Sequence, residues 1–204
     1  DPEVELRTQE LRTQELRTLI IERAEGNPFY LEELVMMLIG DGVIVCDPAG
    51  WRVEAEKLRA LRVPTTLVGV LQARLDALPE AEKQVLQRAS VVGRRFWDAV
   101  VEALSDEEQL TEEDLQPLID RLGERKLVFQ EARSAFAGAH EYLFKHAILH
   151  DVTYETVLLR LRRLYHRQAA EWLETNCSQR LDEYAGLIAM HYEQAHENQK
   201  AVTW

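Results

Sequence analysis

Cysteine is scarce in this chain: only Cys46 and Cys177 occur, far apart and without metal-ligand spacing. Two such thiols are expected to stay free, in a reducing compartment. The N-terminus has no charged-then-apolar leader, and the best apolar run, Leu34 to Cys46, is broken by Asp41. A cytoplasmic protein without a membrane span is the expectation. Positive charge is also short: 24 Lys and Arg face 36 Asp and Glu, leaving −12. A general nucleic-acid binder needs the opposite footprint. No Gly-x-x-x-x-Gly-Lys-Ser/Thr loop is present, and no apolar strand ends in an Asp suited to Mg²⁺. No Ser-His-Asp or Cys-His constellation is legible either. The chain by itself is expected to catalyse nothing.

What is present is a soluble composition with a large apolar share, 46% hydrophobic over 204 residues, enough for one or two domains and a sizeable core. The chain pivots on Glu25-Gly26-Asn27-Pro28-Phe29-Tyr30-Leu31-Glu32-Glu33-Leu34. Gly26 can take the positive φ that ends one helix, Asn27 is a preferred N-cap, and Pro28 suits the first helical position. Glu32 and Glu33 then suit the positive end of the new helix's dipole.

Before this corner, Glu5-Leu6-Arg7-Thr8-Gln9 repeats as Glu10 to Gln14 and again as Glu15 to Thr18. A five-residue step advances about 140° around a helix, so Leu6, Leu11 and Leu16 form no single stripe. Residues 1–18 therefore read as a weakly packed helical extension. An amphipathic helix follows, from Leu16 to Ala24. After the corner, a helix runs to about Ile39 and stops at Gly40-Asp41-Gly42. A hairpin comes next, Val43–Cys46 and Trp51–Val53, around an Asp47-Pro48-Ala49-Gly50 type I turn. Val63-Pro64 opens another helix, with Leu67, Val70, Leu71, Leu75 and Leu78 at helical spacing.

Leu78-Pro79 starts a second section, with helices expected at about 79–92, 95–104 and 111–126 and Thr111–Asp114 approximating a capping box. Strand-like runs follow at Leu127–Gln130 and Tyr142–Phe144. Three helices and a hairpin give a winged-helix order. From Pro79 to Lys145 there are nine basic and fourteen acidic residues. The third helix opens on Glu112, Glu113 and Asp114, which repel phosphate, so DNA binding is not expected and an internally packed wing is. His146 and His150 lie four apart, but without a catalytic Glu or a third ligand no metal is expected. Leu158 to Thr175 is amphipathic. Its apolar face is Leu158, Leu161, Tyr165, Ala169, Trp172 and Leu173. A basic ridge of Arg160, Arg163 and Arg167, joined by Arg162 and His166, faces an acidic partner or phosphate, or solvent. Ile188-Ala189-Met190-His191-Tyr192 with Ala201 matches the start of a tetratricopeptide repeat.

The corner Gly26–Leu34 resembles the Gly-Asn-Pro-Phe-(Phe/Tyr)-Leu-Glu-Glu-Leu motif in the helical lid of bacterial STAND signalling ATPases. These AAA+ relatives include maltose-regulator-type transcription activators and ATPase modules attached to nucleotide cyclases. Pro64 to Asp76, with Arg74-Leu75-Asp76, is similar to the helix that closes this lid. Phe144 to Glu155 is similar to the segment after the wing, where plant and animal relatives carry a Met-His-Asp motif. The likeness covers 16–204. It implies a mainly α fold: a helical lid with a β-hairpin (19–78), a winged helix (79–145), linking helices (146–181) and the start of a repeat array (182–204).

The resemblance further implies that Pro28 contacts adenine, with Gly26 and Asn27 shaping the corner, and that His146 touches the β-phosphate of ADP. Ala147 departs from the Asp of those relatives, and an ordinary helix-start histidine remains the other reading of His146. ATP or ADP would be held mainly by an N-terminal nucleotide-binding domain of a parent protein, and this segment would bind none stably. Its role would be a conformational switch, with protein partners on the repeat region. Two other readings stay open, a winged-helix DNA-binding regulator and a helical adaptor using the Arg160–Arg167 ridge.

Overall fold

The computed structural model describes residues 2–47, 50–104, 112–177 and 180–204. The fold is mainly α, with two small antiparallel sheets. The chain forms two compact units, 1–78 and 79–204. No helix among the described residues is long and apolar enough to cross a membrane.

In the first unit α1 (Pro2–Ala24) is one continuous helix. Leu11 is 65% exposed and Leu16 only 4%, as the five-residue step requires. α2 (Pro28–Gly40) ends in paired bonds, Gly42 N–H to the Ile39 carbonyl and Val43 N–H to that of Leu38, with Gly42 at φ +66. That left-handed residue turns the chain into β1 (Ile44–Asp47), which pairs with β2 (Gly50–Val53) from Ile44 opposite Val53 to Asp47 opposite Gly50. The expected turn at Pro48-Ala49 lies outside the described residues. A short α3 (Ala55–Ala60), absent from the sequence reading, precedes α4 (Leu67–Asp76). α4 does not open at Pro64: Thr66 is its N-cap, with Oγ1 accepting from Gly69 N–H at 3.1 Å. Leu16, Tyr30, Leu34, Leu38, Val43, Val53 and Val70 share one core. Beside it, Leu16, Ile20, Leu31, Ile44 and Trp51 line an apolar groove of about 400 Å³.

The second unit is built on α5 (Glu80–Val92), which packs against most of the other helices of the unit. The expected helix over 95–104 is a strand, β3 (Arg95–Trp97), followed by α6 (Asp98–Ala103). Phe96 lies opposite Tyr142, so pairing with a distant strand overrides local helix pattern. α7 (Glu112–Glu124), β4 (Val128–Gln130) and β5 (Glu141–Phe144) complete a sheet ordered β3-β5-β4, a winged-helix topology. The Thr111 end of the expected capping box lies outside the described residues. α8 (Ala147–Thr156), α9 (Leu159–Asn176), α10 (Leu181–Gln194) and α11 (Asn198–Thr203) follow. Both cysteines are free, Cys46 exposed and Cys177 buried.

The loop between β4 and β5, the wing, is held by aromatic packing. Phe136 meets Trp97 of β3 at 4.8 Å between ring centroids, Trp172 of α9 at 5.2 Å and Tyr184 of α10 at 5.1 Å. Arg180 Nη1 also donates to the Ala135 carbonyl at 2.8 Å. Buried Glu141 accepts from Trp97 Nε1 at 3.0 Å, from Ala135 N–H at 2.9 Å and from Arg95 Nη1 at 2.5 Å. Burial alone would raise the Glu141 carboxyl, but these three donors outweigh it and hold it below the usual carboxylate range. Phe136→Ala should therefore lower the stability of the second unit by about 2–3 kcal/mol. Phe129→Ala, at an exposed strand position, should change it by under about 0.5 kcal/mol. Urea unfolding followed by tryptophan fluorescence reads both, and equal effects would refute the anchored wing.

Candidate functional site

The helix before the corner stops because Glu25 (φ 46) and Gly26 (φ 79) both turn left-handed. A Cβ on Gly26 would meet nothing within 4 Å, so the backbone angle and not crowding calls for glycine. Asn27 then caps α2: its Oδ1 accepts from Phe29 N–H at 3.0 Å and Tyr30 N–H at 3.2 Å. Pro28 occupies the first turn, where no N–H is needed. Gly26, Asn27, Pro28 and Phe29 are all exposed. The corner is a stiff, partly apolar tip.

Behind the tip, Tyr30 donates its hydroxyl to the Pro64 carbonyl, and fully buried Glu33 pairs with nearly buried Arg74. These contacts join α2 to the start and the body of the α4 segment. Glu33 was expected to serve the helix dipole, but it sits beyond the first turn of α2, and its partner is a guanidinium. The signal was available: Glu33 lies on the stripe Tyr30, Leu34, Met37, and Arg74 beside Leu71 and Leu75. A charge on an apolar stripe needs an opposite charge nearby.

His146, in the second unit, is the N-cap of α8, half-buried, with its carbonyl accepting from Leu149 and His150 N–H. It is outside the helix, so it does not share a helix face with His150. The His150 ring is engaged on both sides, Nε2 at 2.9 Å from the Ser90 carbonyl and Nδ1 at 2.9 Å from Asp151 Oδ1. Its role is to hold α8 on α5.

Arg160, Arg163 and Arg167 are exposed along α9, as expected. Arg162 and His166 do not join them. Arg162 lies 4.4 Å over the Tyr154 ring and donates to the Val157 and Glu155 carbonyls. His166 is buried, its Nδ1 at 2.8 Å from Nδ1 of buried His191 and its Nε2 at 3.0 Å from the Tyr154 hydroxyl. Leu158, expected on the apolar face, is 67% exposed and not part of it. Arg121 of α7 and Arg125, just past its end, both turn to buried Glu82 of α5, at 3.1 and 2.8 Å. The helix that would enter a DNA groove thus has its cations tied inward.

Facing Nδ1 atoms at 2.8 Å share one proton, so two protonated rings would clash. Burial first, and then Arg162, lowers His166 to about 4; burial, and then His166, lowers His191 to about 3. Sequence reading missed this pair because each His looks like part of a polar face or repeat core. Comparison with protein-family models, curated proteins and solved structures gives no match.

Two outcomes are expected. Arg74→Met alone takes the guanidinium away from buried Glu33 and should cost roughly 3–5 kcal/mol in urea unfolding, whereas Glu33→Leu with Arg74→Met should recover most of it. The unfolded histidines titrate near 6.5 and the folded ones lower, so their stabilisation is whole above pH 6.5. It is lost as the pH falls through 6.5 toward about 4, and His191→Leu should flatten that part of the stability–pH curve.

Proposed function

We propose that the chain is a regulatory segment of a STAND-type signalling ATPase. It couples the ATP or ADP state of a nucleotide-binding domain in the same polypeptide to movement of the winged helix and repeat start. In this reading Gly26, Asn27 and Pro28 meet the adenine end of the nucleotide and His146 the phosphate end. The observation that carries it is the buried Glu33–Arg74 pair. It joins the two stretches whose residues resemble the family's lid, and it holds the corner stiff from behind. His146 at the N-cap of α8 is also suited to an anion, because a helix N-terminus favours negative charge.

Exchange of ADP for ATP would remove the His146 contact and release the winged helix. A ligand shifts only states that it contacts differently. Because Phe136 packs on α9 and α10, the released body would carry those helices with it. The output then passes through the repeats to protein partners.

The test uses the full-length parent protein and the dissociation of a fluorescent ADP analogue. His146→Ala should speed release roughly 10–100-fold, the loss of a hydrogen bond to charged phosphate, and raise basal signalling. Unchanged release removes His146 from the mechanism. A parent sequence with no phosphate-binding loop before the segment would remove the whole reading.

A further inference from the structure

Three arginines of α9 share an open groove with Leu159, Leu164 and Glu197, about 470 Å³ in volume, between α9 and the junction of α10 and α11. Arg167 leans toward Glu197 Oε1 at 4.0 Å, and Lys200 holds the other oxygen at 3.1 Å. Arg160 and Arg163 have no ion-pair or hydrogen-bond partner among the described residues. Elsewhere in this acidic chain, Arg74, Arg95, Arg121, Arg125 and Arg180 meet carboxylates, while Arg94 and Arg133 show no ion pair among the described residues. The same end of α9 exposes two adjacent leucines, Leu158 and Leu159, each 67% accessible. Two open arginines and the bare Leu159 therefore line one concave place, with Leu158 next to it in sequence.

We propose that this groove docks an acidic amphipathic peptide segment of a partner protein. The partner's carboxylates sit on Arg160 and Arg163, and its apolar side chains on Leu159 and Leu164. Charge complementarity selects this occupant. A guanidinium binds a carboxylate through two parallel N–H bonds, and arginine beside bulky side chains is a usual interface anchor. A nucleic acid would bring a continuous row of phosphates against a chain of net charge −12, whereas a short peptide brings only a few carboxylates. A flat anionic membrane would also meet the carboxylates of Glu171 and Glu197, which Lys200 bridges at 3.6 and 3.1 Å at the rim. A narrow peptide can place its charges on the arginines alone. The groove volume is that of a site taking a few side chains. The proposal rests on this groove and not on the nucleotide reading, so either can fail without the other.

The probe is a fluorescein-labelled peptide of about 16 residues, long enough for a marginal helix, with leucines at helical spacing on one face and glutamates on the other. Fluorescence anisotropy with the full chain should give saturable, salt-sensitive binding in the micromolar range. Arg160→Glu with Arg163→Glu should weaken it about tenfold or more, and Leu159→Ser should weaken it as well. These are exposed positions, so circular dichroism should be unchanged. No binding below roughly 200 µM overturns the proposal. So does equal binding by all variants, or by a peptide with lysine in place of glutamate. Capture of phosphatidylserine vesicles without the peptide would assign the groove to a lipid surface and overturn it as well. A full chain that sediments as a dimer, and as a monomer after the arginine reversal, would assign the groove to a second copy.

Discussion

An ion pair closed off from water organises the first unit. Glu33 and Arg74 come from helices separated by a hairpin, the short α3 and a loop, and neither charge is tolerable alone in an apolar core. The pair admits one register of α2 against α4, because a slip of one turn would leave both charges unmatched. With that register set, Tyr30 reaches the Pro64 carbonyl, and the capped turn at Asn27 faces outward. The corner's exposure thus follows from a contact several residues away from it.

The second unit solves its buried polar groups differently. Glu141 keeps its charge and gathers three donors, two from β3 and one from the wing. Glu82 draws Arg121 of α7 and Arg125, just past the end of α7, to its two oxygens. His166 and His191 give up their charge and share a proton between α9 and α10. In each case the group sits where two or three elements must agree in position, so packing there is specific as well as tight. These same contacts decide the surface: α7 presents little positive charge, while α9 keeps Arg160 and Arg163 open.

Local pattern revealed much of this. The corner, both hairpin strands of the wing and the amphipathic α9 follow from turn residues and from apolar spacing. What escaped depended on partners far along the chain. β3 looks helical until Tyr142 lies opposite Phe96. Arg162 and His166 look like surface cations until Tyr154 and His191 arrive beside them. Leu158 looks like core because spacing assigns a face but not a neighbour. Of the candidate site, sequence supplied the corner and the ridge, but it could not supply the ion pair behind the corner or the groove beside the ridge.

A captured wing tip has a mechanical meaning. Phe136 wedged among Trp97, Trp172 and Tyr184 leaves no slack between the small sheet and the helices after it. A pull or twist applied at α11 has a direct route through α10 and the Phe136 ring to Trp97 of β3.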